Sequence, residues 1–127
     1  MIHEEIQKLH SLANVGMALV EYAQSLFPGL SLRANSQGRY VASPENFVTF
    51  SIHYQRTSNI TVTLRGNPDE FLSYPELPLK PDMNGYSSFK LTEVGQLAAA
   101  SAHIRRAAEI FSRGRERQPK TPVVVER

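Results

Sequence analysis

Cysteine is absent from all 127 residues. That absence excludes a disulfide framework, a thiolate zinc site and a cysteine nucleophile. No apolar run approaches the roughly 20 residues that a helix needs to span a bilayer. The longest such stretch near the N-terminus, Val15 to Val20, already contains Gly16 and stops at Glu21. A basic leader is missing as well. Met1-Ile2-His3-Glu4-Glu5 is acidic, the opposite of a secretory n-region, so the expectation is a cytoplasmic protein with no membrane association. Without a leader, the sequon Asn59-Ile60-Thr61 reads as chance. Strong net charge is lacking too. Fourteen Lys+Arg against twelve Asp+Glu leave +2, too little to drive binding alone.

What is present reads as one globular domain. Apolar residues make up 41% and charged residues 20%. A chain this long buries about two-thirds of its unfolded surface and holds a core without staples.

Residues 2–27 read as one long helix. Ile2, Ile6, Leu9, Ala13, Gly16, Val20 and Phe27 recur at helical spacing, and Leu12, Val15, Leu19, Tyr22 and Leu26 widen the stripe. A stripe that wide asks for cover on more than one side. The expectation is a homodimer that buries part of Leu12, Val15, Leu19 or Tyr22. Pro28-Gly29 is the stop. The period then changes to two. Val48, Phe50, Ile52 and Tyr54 alternate with Thr49, Ser51 and His53, and Ile60, Val62 and Leu64 alternate with Thr61, Thr63 and Arg65. The polar run Gln55–Asn59 joins them as a hairpin, with His53 near Thr61 or Thr63. Leu30–Ala34 and Arg39–Ala42 form an earlier hairpin. Residues 66–85, rich in proline and glycine, are mainly a connection. Asp69–Leu72 forms a helical turn or an edge strand there. Tyr86–Leu91 is the fifth strand. Thr92 caps a last helix whose buried face is Val94, Leu97, Ser101, Ile104, Ala108 and Phe111, and Gly114 ends it. The predicted architecture is a two-layer α+β domain over residues 1–114. An antiparallel sheet of about five strands carries both helices on one face. Residues 115–127 are expected to be a flexible basic tail, in which Val123–Val125 could extend a partner's sheet.

Motifs for chemistry fail on particular residues. His3-Glu4-Glu5-Ile6-Gln7 has glutamine where a zincin has its second histidine. His3 and His10 stand about 10 Å apart along a helix, too far to share a metal. Pro81-Asp82 with Ser88-Phe89-Lys90 lacks the second acid of a nuclease cation site. No G-x-S-x-G, P-loop or G-x-G-x-x-G occurs. Neither a catalytic residue nor a metal or cofactor site is assigned. His103 reads as an outward residue of the last helix beside Arg106.

Charge is uneven. Residues 31–66 carry four arginines and Glu45, and residues 101–127 carry seven bases and three acids. Residues 67–100 are acidic. Ten of the fourteen bases are arginine, whose rigid fork grips phosphate and carboxylate. Arg105, Arg106, Arg113, Arg115 and Arg117 are the candidate anion or nucleic-acid contacts. His53, Arg56 and Arg65 are candidates on the sheet. The bland alternative is that the first group complements the helix dipole and that Glu109 pairs with Arg113.

Phe47-Val48-Thr49-Phe50, Ile60–Arg65, Tyr86–Leu91 and a helix with Gln96, Ile104 and Ala107 form a recognisable arrangement over residues 45–112. It resembles small bacterial domains labelled predicted transport proteins, which occur alone or beside endonuclease-like modules. The resemblance implies an accessory or recognition role near nucleic-acid-processing systems and carries over no catalytic residue. The functional expectation is a non-catalytic binding module for a protein, a second copy or nucleic acid. Its alternative is a small enzyme or ligand-binding protein with a pocket between sheet and helices.

Overall fold

Period-two alternation puts every second side chain on one face, and that face must be covered. In the computed structural model, which describes residues 1–117 and side chains through residue 114, the covered set is the expected one. β3 (Val48–His53) and β4 (Asn59–Arg65) pair antiparallel, with Phe50 opposite Val62 and Val48 opposite Leu64. Phe50, Ile52, Val62 and Leu64 are all buried. β1 (Ser31–Ala34) and β2 (Tyr40–Ser43) form the preceding hairpin. β6 (Tyr86–Leu91) lies against β4, and β5 (Lys80–Pro81) lies outside β6. The sheet thus has six strands in the order β1-β2-β3-β4-β6-β5, one more than expected. The extra strand is two residues long and contains Pro81. Proline is admissible there because an edge strand leaves one side of its ladder unpaired.

The N-terminal helix is not continuous. α1 (Ile2–Gln7) ends before a 3-10 turn at His10–Leu12, and α2 (Ala13–Ser25) follows. His10 sits at φ 56, in the left-handed region. Histidine is one of the few non-glycine residues enriched there, so neither proline nor glycine marks the break. The break divides the wide apolar stripe between two short helices. Leu12 and Leu19 are buried in the chain's own core, while Val15 and Tyr22 stay half-buried. The expected dimer surface therefore loses two of its four residues to the monomer.

α3 (Leu97–Arg117) follows a 3-10 turn at Val94–Gln96. Thr92 does not cap it. Instead the Gln96 side-chain oxygen accepts the backbone N–H groups of Thr92 at 2.8 Å and Glu93 at 3.1 Å. Val94 precedes the helix and is 57% exposed, so it does not belong to the buried face. The helix runs through Gly114 to Arg117. The boundary expected at residue 114 is not its end. The rest of the expected tail, with Val123–Val125, lies outside the described residues. No helix among the described residues is long and apolar enough to cross a membrane.

All three helices pack on one face of the sheet. Ile6, Leu19 and Val20 from one side and Ala100, Ile104 and Ala107 from the other meet Phe50, Ile60, Leu64 and Leu91 in one buried cluster. Gly16 is a close approach in it. A Cβ there would stand 3.0 Å from Ile60 Cδ1 and 3.1 Å from Ile6 Cγ2. Gly16→Val is expected to destabilise the fold by about 1–3 kcal/mol through overpacking, despite valine's better helix propensity. Urea unfolding followed by far-UV circular dichroism checks it; an unchanged midpoint would remove the close contact.

Candidate functional site

One face of the sheet carries no helix. Registers identify which residues share it. Arg33 lies opposite Val41, Val41 opposite Thr49, Thr49 opposite Thr63, Thr63 opposite Ser88 and Ser88 opposite Lys80. This row crosses all six strands, about 24 Å at the usual strand spacing, with a cation at each end. The next row runs Ser51, Thr61, Lys90. Arg33, Lys80 and Lys90 are exposed. No described residue forms an ion pair with any of the three, and the hydroxyls of Thr49, Ser51, Thr61, Thr63 and Ser88 bond no other described side chain or backbone group. None of the six strands contains an aspartate or glutamate. Glu45 and Asp82 lie in flanking segments, before β3 and after β5. The remaining described acids belong to the helices, to the turn before α3 and to the segment 67–79.

At the β3–β4 hairpin this face runs into a cavity of about 560 Å³ bordered by Glu5, His53, Arg56, Asn59 and Lys90. His53 is exposed there, directly opposite Asn59, with Thr61, one of the two threonines expected near it, two residues along on the same face. Asn59 is 6% exposed; its Nδ2 donates to Thr57 Oγ1 at 2.9 Å, and its Oδ1 has no described partner. Glu5 is already engaged, because the Tyr40 hydroxyl donates to its carboxylate. Burial and that neighbouring carboxylate push the Tyr40 phenol up to about 12, so it remains a donor at neutral pH. The cavity border therefore holds Arg56, Lys90 and His53 against one carboxylate that is already bonded.

Arg65, expected on this face, is used within the fold. Its guanidinium lies 5.6 Å from the Tyr86 ring centre and 5.3 Å from that of Phe111, and its Nε donates to the Asn46 carbonyl at 3.3 Å. The arginines of α3 are also partly engaged. Arg106 Nε donates to the Glu70 carbonyl at 2.8 Å. Glu109 pairs with Arg106 at 3.4 Å and Arg105 at 3.7 Å, not with Arg113 as expected. Arg113 is exposed. The side chains of Arg115 and Arg117 lie outside the described residues.

His103 is also placed differently. It is 1% exposed, against the rings of Phe71, Tyr74 and Phe89. Its Nε2 lies 3.0 Å from the Leu77 carbonyl, an acceptor only, so Nε2 carries the proton. Burial holds its pKa below the ordinary histidine value, against the opposing pull of that carbonyl and of Glu76. Gln96 Nε2 donates to the Glu76 carbonyl at 3.1 Å. Three side chains, Gln96, His103 and Arg106, thus strap the segment 70–77 to the last helix and the 3-10 turn before it.

The open face was partly legible. Lys90 alternates with Phe89 and Leu91, which already turns it outward. Lys80 gave no signal, because a two-residue strand has no period. Among the described residues no three histidine, aspartate or glutamate side chains converge as metal ligands would. Comparison with protein-family models, curated proteins and solved structures returns no match.

Proposed function

We propose that the chain is a non-catalytic binding module whose open sheet face takes the phosphate backbone of a nucleic acid. One observation carries this reading. The face presents Arg33, Lys80 and Lys90 among unengaged hydroxyls, and no strand carries a carboxylate. Arginine, lysine, serine and threonine side chains supply most contacts to phosphate oxygens. Uncompensated cations on a broad surface are the electrostatic footprint such a partner needs. Arg56 and His53 extend the footprint at the hairpin end. An accessory role beside nucleic-acid-processing systems, implied by the resemblance over residues 45–112, fits such a face. The arginines of α3 fit it less well, because two of them are held by Glu109 and the Glu70 carbonyl.

The test is fluorescence anisotropy with labelled duplex and single-stranded DNA and RNA across a salt series. If Arg33, Arg56, Lys80 and Lys90 each neutralise a phosphate, the slope of log affinity on log salt for duplex DNA is about −3.6. Each alanine substitution among the four should flatten it by about 0.9. Affinity should vary little with sequence, because phosphate contacts position the partner and do not specify it. Arg113→Ala should leave the slope unchanged. No binding at tens of micromolar protein in low salt removes the proposal. A slope that responds to Arg113 and not to the sheet cations moves the site to the last helix.

A further inference from the structure

A second concavity lies on the opposite layer, away from the sheet face. It is a groove of about 480 Å³ between α2, α3 and the strapped segment. That volume is within the usual range for small-molecule sites. Its walls include Ala18, Leu72, Tyr74, Leu97 and Ala102. Leu72 is 75% exposed, an apolar side chain left at the lip of the groove. His103 also borders it, its buried ring fixed by the Leu77 carbonyl.

The polar side chains of this groove are two guanidiniums, one carboxylate, the His103 ring and hydroxyls that can donate as well as accept. Arg105 and Arg106 share the single carboxylate of Glu109 at 3.7 and 3.4 Å, so two guanidiniums face one acid. Arg105 uses only Nε in that pair, and its side chain is 69% exposed. The hydroxyls of Tyr22 and Ser101, which also line the groove, bond no other described residue. One net positive charge, two free hydroxyls and an apolar wall call for an acceptor group on an apolar body.

We propose that this groove binds a small monocarboxylate with an apolar tail. The carboxylate meets Arg105 and the unused guanidinium nitrogen of Arg106, and the tail lies over Leu72, Tyr74 and Ala102. Guanidinium–carboxylate pairing is directional and strong where the surroundings are apolar. The tail can be alkyl or aryl, since the walls carry both kinds of surface.

The experiment uses the full chain, with decanoate and 4-phenylbutyrate as probes and decanol and decyltrimethylammonium as controls. Isothermal calorimetry reads affinity, and the His103 ring resonances in a nitrogen-15 spectrum report location. At least one carboxylate should bind tenfold or more tightly than decanol, shift the His103 ring and leave the cationic control unbound. Arg105→Gln should reduce the preference for carboxylate over decanol at least threefold while leaving decanol binding unchanged. Leu72→Ser, a change at an exposed position, should weaken carboxylate and decanol alike. Both variants should bind nucleic acid as the parent does, which separates this site from the sheet face. The proposal is overturned if neither carboxylate binds at millimolar concentration. It is equally overturned if decanol matches them, or if binding leaves the His103 ring unmoved.

Discussion

Phe50→Ala is expected to destabilise the domain by about 3–5 kcal/mol, the usual cost of deleting a fully buried phenylalanine. Phe50 is 0% exposed in the middle strands of the sheet, between Tyr40 on β2 and Val62 on β4. Its neighbour Ser51 provides the internal control. Ser51 points to the helix-free face, so Ser51→Ala should change stability by no more than about 0.5 kcal/mol. The pair tests the facing of the whole sheet, because a one-residue slip exchanges the two positions. With no tryptophan in the chain, urea unfolding is best followed by far-UV circular dichroism. A cost below about 1 kcal/mol at Phe50, or an equal cost at Ser51, would refute the register.

That register was legible because strict alternation leaves one arrangement that hides the apolar set. The same reasoning recovered the two-layer α+β architecture, the antiparallel pairing of β3 with β4 and the strand at Tyr86–Leu91. It failed where the deciding term was not periodic. The helix break at His10 depends on one residue adopting a left-handed backbone, and the apolar spacing continues across it. Gly114 looked like a stop, yet glycine within a helix costs only about 1 kcal/mol relative to alanine, and the helix continues. His103 looked outward because its neighbours Arg105 and Arg106 are polar. The segment 70–77 that covers it has no period to announce it. The candidate site was half visible for the same reason: arginine counts drew attention to the last helix, whereas the uncompensated cations depend on strand pairings between distant residues.

The two layers of the fold also divide its charge. Helices and strap hold most of the described carboxylates, and the strands hold none. A net charge of +2 therefore conceals a basic face and a more acidic one. A polyanion approaching in solution would be oriented before contact, since charge separation across a small domain gives it a directional field. Salt screens this field over about 8–10 Å, so orientation and affinity should weaken together.

His103→Ala is the second change with a large expected cost, about 3 kcal/mol or more, and the ring also makes the fold sensitive to acid. Truncation removes a side chain enclosed by Phe71, Tyr74 and Phe89 and leaves the Leu77 carbonyl unpaired. The acid effect follows from the same geometry. Nε2 already donates, and Nδ1 has no described partner, so protonation would place a second N–H where no described group accepts it. The folded pKa is lowered by burial, while the unfolded histidine titrates near its ordinary value. Above about pH 6.5 both states are neutral and the contribution is complete. As pH falls below that value, the unfolded chain takes up a proton that the folded chain refuses. Stability then declines by up to about 1.4 kcal/mol per pH unit until the lowered folded pKa is reached. Urea midpoints for the parent and for His103→Phe, measured from pH 8 to pH 5, separate this ring from the carboxylates, which titrate in both. The parent should lose stability relative to the phenylalanine variant only below about pH 6.5. Parallel curves for the two proteins would show that the ring protonates without disturbing the strap. Loss concentrated at residues 70–77, read by amide hydrogen exchange, would identify the strap as the first segment to open, because His103 packs against Phe71 and Tyr74 within it and bonds the Leu77 carbonyl at its end.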